Sequence, residues 1–388
     1  MARPVTRRLF AVTAAAAIAR AAGTRGAPES IRNLKPMTGD IQPIAETERE
    51  ARREKAHRLM RENRIDAIVC ASGSSMFYFT GRREARGPAA PLLILARGEP
   101  AVVSTAAAAQ ALQDRGAALG RIGIEERTEF HIFDRLGREL PHAELVSADP
   151  VTAGCRMIKS PAEIALLQRA NDITIAAYRA AFAAMREGMT QADFSRNIDA
   201  AYRALGVRGD AMAIFGKYTA YPHGSAQPQR LQEGDMVLVD DGCEVEGYQS
   251  DITRTTVFGK PTSRQRQIWE LERKAQDAAF RAAKPGATCE SVDAAARQVI
   301  ADFGFGPDYK LPGLPHRTGH GIGLDGHEWT YLVRGNQTRL EPGMCFSDEP
   351  TVAIPGEFGV RLEDCMYITG DGARMFTKQS PAIDRPFG

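Results

Sequence analysis

The chain has 388 residues, of which 43% are apolar and 25% charged, and it carries a formal net charge of +2. This length is too great for one ordinary core and predicts two domains of a soluble globular protein. The balanced charge, with no basic cluster beyond the first residues, excludes the electrostatic pattern of a nucleic-acid-binding protein. Six scattered cysteines without Cys-x-x-Cys spacing exclude a cysteine-based zinc or redox site.

Residues 1–27 are predicted to be an export signal. Arg7 and Arg8 precede an apolar, Ala-rich run at residues 11–19, and Ala19-Arg20-Ala21 is a candidate cleavage site. The pattern resembles a twin-arginine signal, and the run is too short to span a membrane as a helix. It predicts a periplasmic or secreted protein with no membrane attachment in the mature form. The alternative is a disordered tail or a mis-assigned start, and then a cytoplasmic protein.

The next two segments are a predicted linker and an α/β domain. Residues 28–44 contain Gly, Pro and Ser without periodicity and are predicted to be a linker. Residues 45–156 begin with an amphipathic helical pattern and continue with short apolar runs bounded by Gly or Pro, which predict strands alternating with helices. The runs are residues 65–70, 91–95, 101–104 and 122–124. Ser160 and Pro161 are start signals for the first long helix of a second domain, residues 157–388.

The stretch from residue 236 to residue 257 reads as a β-hairpin that carries two carboxylates. An apolar run ends at Asp240, turn residues follow, and a β-branched run begins just past Asp251. A two-residue loop at Val245 and Glu246 would place Asp240 opposite Asp251, about 5 Å away. Two carboxylates at that distance repel by roughly 4 kcal/mol, so a fold that keeps both needs a shared proton or a cation. A cation is the preferred interpretation.

Further candidate ligands lie in the last seventy residues. His320 lies in a Gly- and His-rich stretch, Glu349 follows a strand-like run, and Glu363 comes two residues after Arg361, on the same face of a predicted strand. Together with the hairpin pair, these groups are four carboxylates and one imidazole, with a formal charge of −4. Two divalent cations would neutralise that charge.

An internal repeat and a misleading motif complete the pattern. Residues 176–206 and 278–304 share an Ala-rich helix, a Gly-x-Thr step and a second helix that ends at a glycine, which predicts two related helix-helix-strand units. Residues 321–326 match the dinucleotide fingerprint G-x-G-x-x-G. No helical period follows them, so the match does not indicate a nucleotide site, and we expect the glycines to allow close backbone approach to a metal.

The ligand segments resemble, in order and spacing, the five metal-ligand motifs of the pita-bread metallopeptidases. This group contains methionine aminopeptidase, aminopeptidase P, prolidase and the metal-free creatinase. The likeness covers the chain from about Met157 onward, and His223, His316, His327 and Arg361 match substrate-side positions of the Xaa-Pro branch. Residues 65–73 and 76–81 resemble the start of the creatinase-type N-terminal domain.

The resemblance implies a fold, a cofactor and an activity. It implies a creatinase-type, RNase H-like α/β N-terminal domain, an α+β pita-bread catalytic domain with pseudo-two-fold symmetry, and a homodimer. It also implies two divalent ions, with Mn²⁺ preferred and Co²⁺ or Zn²⁺ as alternatives. Asp251 and Glu363 would bridge them, Asp240 would bind one ion, and His320 with Glu349 would bind the other.

The implied reaction is hydrolysis of the bond between an N-terminal residue and proline in peptides. A water held between the ions would be the nucleophile, and Glu349 would accept its proton and pass it to the leaving nitrogen. His223, His316 and His327 would line the proline pocket and polarise the scissile carbonyl. Arg361 would fix the pocket or a substrate carboxylate.

Three questions stay open at this point. The Xaa-Pro branch often has Tyr four residues after the ligand Glu, and this chain has Ala353 there. The sequence does not choose between a dipeptidase and an aminopeptidase. The alternative functions are a non-peptide hydrolase or lyase on the same fold and a catalytically silent interaction scaffold, although no predicted ligand is missing.

Overall fold

The computed structural model describes residues 26–82, 91–95 and 100–387. The chain divides into two compact units, Pro43–Glu163 and a second unit that combines residues 26–42 with the chain from Ile164 onward. Nearly all of the predicted export signal, residues 1–27, lies outside the described residues. Among the residues described, no helix combines the length and the apolar character needed to cross a bilayer.

The unit Pro43–Glu163 is an α/β domain, as the sequence predicts. Its sheet has the order β3-β2-β1-β4-β5, with β4 parallel to both β1 and β5, and every residue of β1 is buried. Apolar residues of β1, β2 and β4 pack against helices α4 and α5 to form the core. The strands are β1 Ala67–Cys70, β2 Leu92–Leu95, β3 Ala101–Val102, β4 Arg121–Ile124 and β5 Glu144–Ser147. The helices of this part of the chain are α2 Glu46–Asn63, α3 Ser74–Thr80, α4 Thr105–Asp114, α5 Phe130–Glu139, α6 Asp149–Arg156 and the start of α7 Pro161–Phe182.

Part of the segment predicted as a linker is packed against the second unit. Helix α1 Glu29–Arg32 buries Ile31 completely, and the Ser30 hydroxyl donates to the carbonyl of Ala180 at 2.8 Å. Farther on, the N–H of Met37 donates to the carbonyl of Leu205 at 2.9 Å. The prediction failed here because a short segment without its own periodicity can still be ordered by contacts made elsewhere in the chain.

The second unit consists of paired helices and antiparallel strands. Its further helices are α8 Gln191–Leu205, α9 Ser263–Ala282, α10 Cys289–Asp302 and a 3₁₀ helix, Gly216–Ala220. Its strands are β6 Arg208–Gly209, β7 Met212–Phe215, β8 Met236–Asp240, β9 Cys243–Val245, β10 Tyr248–Gln249, β11 Arg254–Val257, β12 Gly319–Gly321, β13 Glu328–Leu332, β14 Cys345–Asp348, β15 Thr351–Ile354, β16 Phe358–Arg361, β17 Asp364–Thr369 and β18 Gly372–Met375. The sheets have the orders β11-β8-β7, β10-β9-β6, β13-β12-β14-β17-β18 and β15-β16.

The repeat predicted from the sequence is visible in the backbone. Thr190 and Thr288 cap helices α8 and α10, each with its hydroxyl accepting an N–H three residues on. The glycine before each cap donates to a leucine carbonyl at 2.8 Å, Gly188 to Leu231 and Gly286 to Leu340. Strands β8 and β14 follow these leucines; β8 ends at the candidate ligand Asp240, and β14 ends at Asp348, directly before the candidate ligand Glu349. The two repeats therefore deliver equivalent strands, and one carboxylate each, to the same region.

The hairpin register differs from the prediction. The two-residue turn is Glu246-Gly247, with φ of 49° and 93°, so Val245 pairs with Tyr248. Glu246 and Gly247 both adopt the positive φ that a type I′ turn requires, and glycine accepts this conformation without strain. Continuing the register places Asp240 beside Thr253 rather than Asp251. Because the shift is two residues and the side-chain period of a strand is also two, Asp240 and Asp251 still face the same side.

The Gly-rich stretch forms a strand, a bend and a second strand, not a strand and a helix. A Cβ on Gly321 would lie 2.6 Å from the carbonyl oxygen of Glu328, and one on Gly323 would lie 2.6 Å from the Glu328 carboxylate. These glycines therefore allow close packing within the β12–β13 region. The nucleotide interpretation was rightly set aside, and the close approach of these glycines to a metal stays a prediction.

Candidate functional site

A cavity of about 350 Å³ in the second unit contains every candidate residue that the sequence singled out. Its walls are built from strand ends and irregular segments of both repeats. The lining residues are Met212, Pro222, His223, Asp240, Asp241, Asp251, His316, Arg317, His320, His327, Glu349, Arg361 and Glu363.

Three overlapping sets of three potential metal ligands meet in this cavity. Asp240, Asp251 and Glu363 each place a carboxylate oxygen within 4.8 Å of the others, and a ring nitrogen of His320 meets Glu349 and Glu363 within the same limit. The third set is Asp251, His320 and His327, so Asp251 and Glu363 each belong to two sets. The arrangement offers adjacent positions for hard divalent cations with two shared carboxylates.

His320 is oriented as a metal-binding imidazole. Its Nδ1 lies 3.1 Å from the carbonyl oxygen of Gly321, which requires the proton on that nitrogen. Its Nε2 then faces Glu349 at 3.1 Å and Asp251 at 3.5 Å. A hydrogen bond to the remote ring nitrogen is the usual device that fixes the tautomer of a ligand histidine.

The charge distribution fits a cation in this position. Burial and the neighbouring carboxylates raise the pKa of Asp251 and the pKa of Glu363 well above their ordinary values. Oε1 of Glu363 is buried and has no hydrogen-bond partner among the described residues. A buried, unpartnered carboxylate oxygen beside like charges is costly, and a bound cation would remove that cost.

The pKa of Glu349 shifts in the opposite direction to the pKa values of Asp251 and Glu363, because Glu349 lies beside His320. Burial favours the neutral form of each, but their mutual attraction prevails. It lowers the pKa of Glu349 well below its usual range and raises the pKa of His320. Glu349 therefore stays ionised, and it also lies 3.3 Å from the hydroxyl of Ser347, which in turn accepts the backbone N–H of His320.

Thr253 and Arg361 contact two of the candidate ligands, Asp240 and Glu363. The hydroxyl of Thr253 lies 2.6 Å from an oxygen of Asp240 and 2.7 Å from an oxygen of Glu363, and it accepts from Nε of Arg361 at 3.0 Å. Arg361 is itself ion-paired with Asp240 and donates to the carbonyl of Pro222 at 3.1 Å. In this structure Arg361 is thus engaged with a ligand carboxylate and with the wall segment next to His223.

The three substrate-side histidines have different environments. His316 uses both ring nitrogens, with Nδ1 2.7 Å from the carbonyl of Arg317 and Nε2 3.0 Å from the hydroxyl of Thr351. The ring of His327 lies 4.0 Å from that of His320, and burial, with the charges of His320 and Arg317, lowers its pKa to about 4. His223 is exposed, whereas a ring nitrogen of His327 lies within 4.8 Å of ligand atoms of Asp251 and His320.

Sequence reasoning missed three lining or supporting residues, Thr253, Asp241 and Arg317. Thr253 follows Asp251 by two residues and therefore shares its face, so strand periodicity could have indicated it. Asp241 and Arg317 each directly follow a candidate site residue, and alternation predicts the opposite face for such positions. Asp241 has a φ of 104°, a local irregularity that no pattern in the sequence predicts.

Ala353 is fully buried in β15 and pairs with Gly313, so the position where the Xaa-Pro branch often has Tyr carries no polar group here.

Comparison with known proteins decides the family. The profile described as metallopeptidase family M24 matches residues 165–370, more than half of the chain. The chain belongs to metallopeptidase family M24. A second profile, the creatinase/prolidase N-terminal domain, matches residues 52–105 and 91–158. These matches confirm the predicted fold class, and membership of this family implies divalent metal ions.

Individual relatives agree with the family assignment. The chain is 31% identical to a Xaa-Pro dipeptidase of Pyrococcus horikoshii over 82% of this chain and 94% of that protein. It is 42% identical to a Xaa-Pro dipeptidase of Lactobacillus helveticus over 63% of this chain and 67% of that protein. The crystal structure of dipeptidase PepE from Mycobacterium ulcerans superposes with a TM-score of 0.80 at 29% identity, covering 87% of this chain and 97% of that one.

Proposed function

We propose that this protein is a metal-dependent peptidase that hydrolyses the bond between an N-terminal residue and proline. The observation that carries the proposal is the meeting of Asp240, Asp251, His320, Glu349 and Glu363 in one cavity of an M24-family chain. All five candidate ligand residues are present, which disfavours the scaffold alternative. Relatives named Xaa-Pro dipeptidase favour proline peptides over non-peptide substrates.

The proposed cofactor is a pair of divalent cations, with Mn²⁺ preferred and Co²⁺ or Zn²⁺ as alternatives. Asp240 would hold one ion and His320 with Glu349 the other, and Asp251 and Glu363, which each belong to two ligand sets, would be shared between the ions. Four carboxylates and a neutral imidazole balance two such charges. Oxygen-rich ligation with one nitrogen suits these metals better than copper or an iron–sulfur cluster.

The protein residues have separable tasks in this reaction. When bound, the cations would supply a water of lowered pKa and polarise the scissile carbonyl. Glu349, which stays ionised, accepts the proton of the attacking water and passes it to the departing proline nitrogen. His327 is neutral at pH 7 because its pKa is about 4, so it can donate a hydrogen bond to the scissile carbonyl without adding charge beside the cations. Arg361 and Thr253 keep the Asp240 and Glu363 carboxylates in position.

The experiment is an assay of the purified protein with Mn²⁺, with and without chelator, on Ala-Pro, Ala-Pro-Gly and Ala-Ala. We expect metal-dependent cleavage of the proline substrates and little cleavage of Ala-Ala. E349Q should remove turnover. E357Q is the matched control, because Glu357 is an exposed residue of the same unit that pairs only with Arg264 among the described residues. Equal rates on all three peptides would remove the proline assignment, and no cleavage of any would favour the scaffold or non-peptide alternatives.

Two further parts of the proposal concern the whole molecule. We infer a homodimer, the usual state of the group that the sequence resembles, which light scattering after size-exclusion chromatography tests. We also propose export through the twin-arginine segment at residues 1–27. A periplasmic protein whose mature N-terminus lies near Ala22, measured by mass spectrometry, is the expected result.

A further inference from the structure

Helix α10 carries a largely buried ion pair that lies outside the cavity. Asp293 and Arg297 are four residues apart, and Oδ2 of Asp293 accepts from Nε of Arg297 at 2.7 Å. Asp293 is 1% exposed, and neither residue is among those that line the cavity. Residues four apart lie on the same face of a helix, so the two side chains can act on one chain segment. That segment is residues 314–318, which lead into strand β12.

Arg297 fixes the backbone of this segment with both terminal nitrogens of its guanidinium. Nη1 donates to the carbonyls of Asp308 and Leu314 at 2.8 and 3.1 Å. Nη2 donates to the carbonyl of His316. A planar guanidinium holds several acceptors in a fixed arrangement, which the single ammonium of a lysine does not. The backbone that carries the His316 imidazole is thereby attached to helix α10.

Asp293 fixes the other end of the same segment. Its Oδ1 accepts from the backbone N–H of Thr318 at 3.1 Å and from the Thr318 hydroxyl at 2.7 Å. The carbonyl of Thr318 in turn accepts the backbone N–H of Glu349 at 2.8 Å. Two cavity residues, His316 and Glu349, are therefore linked through main-chain hydrogen bonds to helix α10, one by each member of the ion pair.

The first repeat has different residues at the equivalent positions. Asp293 and Arg297 occupy the fifth and ninth positions after the threonine cap of helix α10. Counted from the cap of helix α8, the same positions hold Ser195 and Asp199. Asp199 instead pairs with Arg203, and these side chains are 41% and 48% exposed. An ion pair that the fold of a repeat requires would be expected in both repeats, so its restriction to the second repeat favours a role in the site.

We propose that Asp293 and Arg297 are positioning residues for peptide hydrolysis: Arg297 sets the position of the His316 imidazole, and Asp293 sets that of Glu349. This inference rests on the proposed function, because that function gives His316 and Glu349 their roles toward the substrate. A displacement of about 1 Å can lower a rate by about 100-fold. Loss of either anchor should therefore reduce turnover, although no group that contacts the peptide is removed.

The first test compares R297Q and R297K with the wild-type protein on Ala-Pro. R297Q should lower kcat by about 10- to 100-fold. It should leave the Mn²⁺ affinity within about threefold of wild type, because none of the carbonyls that Arg297 holds belongs to a candidate ligand. R297K should fall between R297Q and wild type, since it keeps the charge opposite Asp293 but not the planar fork. R203Q is the matched control: it removes an arginine with the same spacing from its aspartate on helix α8 and should keep the wild-type kcat.

The second test separates the two members of the ion pair. D293A should lower kcat and also weaken Mn²⁺ binding by about 10-fold, because it releases Thr318, whose carbonyl anchors the backbone of the candidate ligand Glu349. D293N keeps an oxygen that accepts from Thr318, so it should retain the Mn²⁺ affinity and lose less kcat than D293A. Competition with a fluorescent chelator measures the affinity, and urea unfolding shows that each variant is folded under the assay conditions.

The third test does not depend on turnover. In this structure Nδ1 of His316 donates to the carbonyl of Arg317 at 2.7 Å, so the ring should give the ¹⁵N NMR signature of one tautomer in the Zn²⁺-loaded protein, with H316N as the reference for assignment. R297Q should show both tautomers in exchange, and R203Q should show one.

The outcomes that decide the inference are distinct from those that decide the proposed function. If folded R297Q keeps either the wild-type kcat or the wild-type His316 signature, Arg297 only stabilises the fold and the inference is wrong. R297K replaces R297Q in this comparison if R297Q does not fold. If the wild-type protein cleaves no proline substrate, the proposed function fails, and the His316 signature alone decides whether Arg297 positions the ring.

Discussion

Replacing Glu363 with Gln should stabilise the metal-free protein and abolish its response to metal. The pKa of Glu363 lies above its ordinary value of 4.5 because burial and the charge of Asp251 disfavour its ionised form. A carboxyl with a raised folded-state pKa destabilises the fold at pH values above the unfolded-state pKa, and the penalty grows by about 1.4 kcal/mol per pH unit until the folded-state pKa is reached. Below pH 4.5 the penalty vanishes, because the group is then protonated in both states.

Two independent calculations of the free-energy penalty of ionising Glu363 agree. From pH 4.5 to pH 7 the titration penalty is at most about 3 kcal/mol. A second unit charge within the 4.8 Å that separates the ligand atoms costs about 3 kcal/mol at an effective dielectric constant near 20. We therefore expect E363Q to raise the free energy of unfolding in chelator by up to about 3 kcal/mol at pH 7, and by almost nothing near pH 4.5.

Urea unfolding followed by tryptophan fluorescence measures this effect. Both tryptophans of the chain, Trp269 and Trp329, lie in the second unit, so the signal reports on the part that carries the site. Mn²⁺ should stabilise the wild-type protein and do little for E363Q, because ligand binding stabilises only the state that binds it. E363Q should also show almost no turnover.

Asp364 provides the control, because it is the neighbouring buried carboxylate with the opposite environment. It forms an ion pair with Arg254 at 2.7 Å, and both side chains are fully buried. D364N should destabilise the protein by about 3 kcal/mol or more in chelator, since it leaves a buried arginine without its counter-charge. If E363Q is less stable than wild type in chelator at pH 7, Glu363 does not carry an uncompensated charge and the reasoning is refuted.

Three shorter predictions follow from the same geometry. T253V should weaken Mn²⁺ binding by about 10- to 100-fold while the protein stays folded, since the Thr253 hydroxyl orients two candidate ligand carboxylates. Competition with a fluorescent chelator measures the Mn²⁺ affinity, and an unchanged affinity would show that the hydroxyl is dispensable. G319A should destabilise the second unit and abolish metal binding, because its Cβ would lie 2.1 Å from the carbonyl oxygen of Ser347. G370A is the control: its Cβ has open space around it, so the substitution should not change the free energy of unfolding in the same assay. In chelator, the imidazole of His327 should titrate near pH 4 by NMR, and a midpoint near 6.5 would contradict the environment described for it.

Local chemistry made much of the fold predictable from the sequence. The start signals at Ser160 and Pro161 predicted the beginning of a long helix, and helix α7 begins at Pro161. The helical pattern predicted at the start of the α/β domain corresponds to helix α2, Glu46–Asn63. The Gly-x-Thr step marked a helix start in both repeats, because a threonine cap and a preceding glycine act within four residues of each other. Such signals depend on neighbouring residues in the chain, so they can be recognised without knowledge of the tertiary fold.

The candidate ligands were also identified from the sequence, because metal binding restricts residue type and family motifs fix order and spacing. Asp240, Asp251, His320, Glu349 and Glu363 were all named in this way, and the structure brings all five to one cavity. The hairpin register was assigned wrongly, because β-branched Val245 does not tolerate the positive φ that a type I′ turn requires, whereas Gly247 does. Because the two registers differ by two residues, Asp240 and Asp251 face the same side of the hairpin in both, and the alternation of side chains does not distinguish them.

Only the tertiary structure decided which groups support the ligands and which remain unpaired. The contact of Thr253 with Glu363 spans 110 residues of sequence, and the position of Arg317 against His327 and Tyr331 depends on how two strands pack. Residue types and their order determined what chemistry this chain can perform. Packing in three dimensions determined which side chains meet in the cavity, because the electrostatic environment of a side chain depends on distances in space that no local pattern encodes.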